Sequence, residues 1–97
     1  MAEFTHKLSL PVAWEGHEIA EVTLRSPNVS RFKQLLTVAE IEDPIEEAEA
    51  TIAIMGGLDP AVIGEMAFED FVVLAEAAAP LLEAALATAS SVLQTRH

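Results

Sequence analysis

Hydrophobic residues alternate along the first quarter of the chain and then, beyond Ser26-Pro27-Asn28, recur every three or four positions. That change of period allows two strands followed by helices and excludes a continuous sheet or a single long helix. In FTHKLSLPVAW the even positions Phe4, Leu8, Leu10 and Val12 are apolar, and in HEIAEVTLR the even positions Ala20, Val22 and Leu24 repeat the pattern. The expected strands are residues 4–13 and 17–25. Residues opposite one another in an antiparallel pair share a face, so even must pair with even if both strands bury one side. A two-residue turn at Glu15-Gly16 would pair Trp14 with His17 and break that parity. A three-residue loop, Trp14-Glu15-Gly16, closed by Ala13 and His17, restores it and sets Leu10 opposite Ala20 and Leu8 opposite Val22, with Gly16 left-handed. Pro11 is expected on an edge, where its missing N–H does no harm.

Past Pro27 the punctuation is helical. Asn28 can cap a helix over residues 28–39, whose stripe is Val29, Phe32, Leu36 and Ala39 with Leu35 beside them. Asp43-Pro44 opens a second helix over 44–55, with Asp43 as cap, Pro44 at the first position, Glu46 and Glu47 near the positive end, and Ile45, Ala48, Ile52 and Met55 facing inward. Gly56-Gly57 stops it. Asp59-Pro60 repeats the start for a short helical turn over 60–66 through Val62, Ile63 and Met66. A last helix over 67–93 carries Phe68, Phe71, Ala75, Ala78, Leu82, Ala85, Ala89 and Val92 at three-four spacing, with a kink or break expected near Pro80. The expected fold class is α+β, an N-terminal β-hairpin followed by three to four helices in a single domain, 1–97. Residues 84–97 are expected to be a frayed or interaction-competent tail.

Charge is distributed unevenly. Residues 1–33 hold four acids and four bases, whereas residues 34–95 hold twelve acids and no base, within a formal net charge of −11. Such a surface repels phosphate backbones and anionic lipid, so neither nucleic acid nor membrane is an expected partner. No uncharged stretch approaches the roughly 18 to 20 residues that span a bilayer. The start of the chain lacks the pattern of a signal peptide, and a cytoplasmic location is expected.

Catalytic chemistry is thin. There is no cysteine, and the three histidines are scattered. Glu69 and Asp70 are adjacent and point to different sides of a helix, so a solvated helix N-terminus explains them better than an acid/base pair. His6 and His17 fall on faces of opposite parity in the expected register, which disfavours a shared metal. EIEDPIEEAE lacks the alternating carboxylates and central glycine of a calcium loop. The expectation is a protein without enzymatic activity, catalytic residues, metal or cofactor.

The order LxxPVxWxGxxIxxVxLRxP (Leu8 to Pro27), a helix, an acidic break, a second helix, then GLDP (Gly57 to Pro60) and FEDF (Phe68 to Phe71) resembles the tail assembly chaperones of long-tailed phages, particularly the Mu-like contractile-tail type. The resemblance covers roughly residues 8–80. Ala67 departs from it, standing where a Ser, Thr or Asp cap is usual, and the alanine-rich segment after Pro80 does not align. It implies a non-enzymatic chaperone, in the cytoplasm of a bacterial host cell, that binds the tape measure protein, keeps it soluble and presents it for tail morphogenesis. Many members also exist as a frameshifted longer form, which with self-association completes the expected partners.

Four residues are candidate partner contacts. Trp14 sits at the hairpin tip, either folded onto the core or exposed as a hot spot. Leu82, Leu86 and Leu93 lie on the last helix, beyond which little chain remains to cover its stripe. The alternative function is a small acidic phage or prophage protein that inhibits a host enzyme by mimicking nucleic acid, which requires carboxylates arrayed on one surface at phosphate-like spacing.

Overall fold

A computed structural model of the chain describes residues 3–94, with side chains through residue 91. Its elements are β1 (Glu3–Trp14), β2 (His17–Arg25), α1 (Val29–Val38), α2 (Pro44–Gly56), α3 (Pro60–Gly64) and α4 (Phe68–Gln94). The fold is an antiparallel hairpin followed by four helices, the α+β plan that the change of period implies.

The hairpin register corrects the expected one. Glu15 and Gly16 form a two-residue turn with φ of 46° and 82°, the double left-handed pattern that suits the twist of tightly joined strands. Trp14 pairs with His17 and Val12 with Ile19, yet at the open end His6 pairs with Val22 and Phe4 with Leu24. Between Lys7↔Glu21 and Val12↔Ile19, the segment Leu8 to Pro11 stands against Ala20 alone. This bulge shifts the register by an odd number, so even pairs with even at one end while a two-residue turn closes the other. Leu10 and Ala20, expected to pair inside, are exposed. Pro11 lies in the bulge, where no ladder bond is lost.

Local capping explains the helix starts. The Asn28 side chain accepts a 2.8 Å bond from the Arg31 N–H, Asp43 accepts from Ile45 and Glu46 at 2.8 and 3.3 Å, and Asp59 accepts from Ala61 at 2.9 Å. Gly57, at φ 67°, ends α2. The Leu58 N–H bonds the Ala53 carbonyl and the Gly57 N–H that of Ile54, a paired closure that a left-handed glycine permits.

Helix α2 is the hub, touching β2, α1, α3 and α4. Leu24, Ile52, Met55, Val62 and Leu74 are its fully buried neighbours and members. Several expected core residues are not inside: Val29 is 79% exposed, Phe68 66% and Ile45 51%. On α1 the buried residues are Leu35 and Val38, so the helix turns its 35/38 edge inward and leaves Val29 and Leu36 outside. Ile45 and Phe68 occupy the first turns of α2 and α4 and border one shallow depression with Met66 and Phe71. Helix α4 runs through Pro80 without a break, because a missing N–H and one lost bond are tolerated where the helix face is exposed and water can satisfy the freed carbonyl.

Candidate functional site

The first turn of α4 is fastened to the bulge of β1 by one carboxylate. Asp70 is 2% exposed, not solvated as its place at a helix start implies. It accepts from the Ser9 N–H at 3.0 and 3.1 Å, the Ser9 hydroxyl at 3.0 Å, His6 Nε2 at 3.0 Å and, at the margin, the Leu10 N–H at 3.5 Å. The bulge turns the amides of Ser9 and Leu10 out of the ladder, and Asp70 supplies the acceptors they would otherwise lack. Burial pushes the Asp70 carboxyl up, but the Ser9 amide, His6, the Ser9 hydroxyl and the Leu10 amide outweigh it and hold the group below its ordinary value. Glu69, beside it, is exposed, so the two carboxylates have no common site. Sequence reading missed this role because its signal is non-local.

The clamp fixes the direction of a helix much longer than the core it serves. At about 1.5 Å per residue, α4's 27 residues run close to the length of the molecule's 50 Å long axis. Asp70, Phe71, Leu74 and Ala78 are buried, whereas no residue from Ala79 to Ser91 is. The outer half of α4 is therefore apolar helix with little protein over it. Residues Phe68–Ser91 are long and apolar enough to cross a membrane by length and composition, with a mean hydropathy of 1.6 over the best window. Asp70 tied to the hairpin and the carboxylates of Glu76 and Glu83 along the helix oppose that use.

Of the expected contact residues, Trp14 is half-buried and packs against the core cluster, which resolves its two readings toward the core while leaving an edge exposed. Leu82 packs partly on the same cluster. Leu86 is 43% exposed and available. The side chain of Leu93 lies outside the described residues. His6 is committed to Asp70 and His17 is exposed beside the turn; among the described residues no group of three or more His, Cys, Asp or Glu could hold a metal.

One further surface escaped the sequence reading. Val29 and Phe32 of α1 face Ala85 and Ala89 of α4 across an open groove of about 390 Å³, with Pro27 at one end and Lys33 on its wall. Its signal was present in the sequence as the second possible apolar stripe of α1, assigned above to the core.

A two-stranded start and a cap-and-glycine helical hub are the plan that LxxPVxWxGxxIxxVxLRxP and GLDP led one to expect. A family model described as phage tail assembly chaperone proteins, E, or 41 or 14, matches residues 5–83. No curated protein and no solved structure matches the chain. The match spans both strands, α1 to α3 and α4 as far as Glu83, and the chain belongs to the phage tail assembly chaperone family.

Proposed function

We propose that this chain binds the tape measure protein in the cytoplasm of the bacterial host and keeps it soluble until the tail tube assembles around it. The observation that carries this reading is the outer half of α4, a largely apolar helix surface from Ala79 to Ser91 in which no residue is buried. A partner rich in exposed apolar helix gains by covering such a surface, since each buried CH₂ contributes about 0.8 kcal/mol. The acids between Glu40 and Glu83 then hold the complexes apart by like-charge repulsion. The action is one of covering and releasing a surface, without bond making or breaking. Trp14, Leu82, Leu86 and Leu93 are its proposed contacts, with Leu86 the most accessible of those described.

Co-expression with the neighbouring tape measure gene tests the proposal. A soluble complex that co-purifies supports it; unchanged insolubility of the tape measure protein with no complex refutes it.

A further inference from the structure

We propose that the groove between α1 and the outer half of α4 receives an amphipathic helix whose apolar stripe is bordered by carboxylates. The inference rests on the reading of this chain as a binder of a helical protein and assigns the place and the chemistry of one contact.

The groove is built from surfaces the core does not use. Helix α1 sends Leu35 and Val38 inward and leaves Val29 79% exposed, with Phe32 half-buried beside it. Opposite stand Ala85 and Ala89, small enough for another helix backbone to come close. The α4 wall runs from Ala84 to Ala89, about 9 Å of helix, so the groove accommodates between one and two turns of a bound helix.

Charge selects the occupant. The walls hold no carboxylate: α1 carries Arg31 and Lys33 and no acid, and residues 84–91 carry no charge at all. Every acid of residues 34–95 lies between Glu40 and Glu83. Lys33 lines the groove, is exposed, and forms no ion pair among the described residues. A carboxylate bordering a bound helix therefore meets a cation here and repulsion over most of the remaining surface. A lysine-bordered helix has the reverse preference and goes to the side that carries Glu46, Glu47 and Glu49 of α2. At about 0.15 M salt, where charges more than roughly 8 Å apart are largely screened, a charge on the wall counts for more at the groove than its share of the net charge of −11.

Two synthetic peptides of about 18 residues, long enough to hold helix, test the choice: both carry the same alanine-leucine stripe, one bordered by glutamates and one by lysines. Amide shifts in the full chain locate each peptide at about 0.15 M salt. The glutamate peptide is expected to move Val29 to Lys33 and Ala84 to Ala89, to lose about fivefold in affinity on K33E, and to be displaced from the groove by Ala85→Trp, a position on the exposed overhang where the larger ring leaves the core intact. The proposal is overturned if the lysine peptide takes the groove as tightly, if the glutamate peptide shifts other residues, or if the unliganded chain self-associates and Ala85→Trp abolishes that, which makes the occupant a second copy. A tape measure complex that survives both K33E and Ala85→Trp unweakened also overturns it while leaving the chaperone reading intact. Failure of any tape measure complex, with the glutamate peptide still seated in the groove, refutes that reading and not the groove's chemistry.

Discussion

Asp70 accepts both the backbone N–H and the side-chain hydroxyl of Ser9, 61 residues earlier in the chain, at 3.0 to 3.1 Å. This contact joins a defect in the hairpin to the start of the longest helix. The bulge that reconciles the strand register exposes amides, and the same amides orient α4 by holding its first turn. The acidic residue that the macrodipole would favour at a helix start has been turned outward from the helix to serve the strand.

Replacing Asp70 by Ala removes every acceptor in the clamp and leaves the Ser9 amide and hydroxyl and His6 Nε2 without their partner at a part-buried site. A loss of about 1 to 2 kcal/mol is expected, because hydrogen bonds to a charged group are lost while water can still reach the exposed Ser9. Asp70→Asn keeps one carbonyl oxygen but turns an amide group toward donors, and falls between Ala and the native residue. Urea unfolding followed by far-UV circular dichroism checks both, and a loss under about 0.5 kcal/mol for the Ala variant rejects the clamp.

The pH dependence follows from the same bonds. Because the Asp70 pKa is lower in the folded protein than in the unfolded chain, its contribution is fully present above the unfolded value of about 3.9 and disappears as pH falls through the folded value. The stability difference between the native protein and Asp70→Asn should be constant from pH 7 to about pH 5 and shrink below about pH 4. A difference that persists unchanged to the bottom of that range would contradict the assignment.

What could be read from the sequence was what is local. Asn28, Asp43, Asp59 and Gly57 each act within four residues of themselves, and each was legible. The parity requirement of the hairpin was also legible, but its solution was not. The odd insertion lies in β1 instead of the turn, stabilised by a carboxylate far along the chain. The face of α1 was ambiguous for a different reason: Val29-Phe32-Leu36 and Leu35-Val38 are both acceptable helical stripes, and only the position of α2 chooses between them. That choice made the groove, so the candidate surface there was invisible until the helices were placed. Leu86, by contrast, lies on a part of α4 where no described residue is buried, and it is exposed.

The turn offers a stabilising change. Glu15 adopts φ 46°, a conformation that burdens an L-residue with a side chain by roughly 1 kcal/mol and that Asn tolerates well before Gly in this turn type. Glu15→Asn should raise the unfolding free energy by about 0.5 kcal/mol, visible as a higher urea midpoint with an unchanged slope. The mutation touches neither the α4 surface nor the groove, so any change in tape measure binding would report on the adjacent Trp14.

Leu74 and Leu86 lie on the same helix and separate stability from binding. Leu74 is 0% exposed in the core, whereas Leu86 is 43% exposed on the overhang. Leu74→Ala should cost about 3 kcal/mol, since the removed methyl groups leave a cavity that the hub around Ile52 and Met55 cannot fully close. Leu86→Asp removes no buried contact and should change stability by less than about 0.5 kcal/mol, while placing a charge in the centre of the proposed contact surface. If α4's outer half covers the tape measure protein, the Leu86 variant yields a folded chaperone that no longer keeps its partner soluble, and the Leu74 variant yields a less stable one that still binds at low temperature. Thermal melts and co-purification of the two variants side by side measure both effects, and equal binding by the native chain and Leu86→Asp would move the contact surface off this helix.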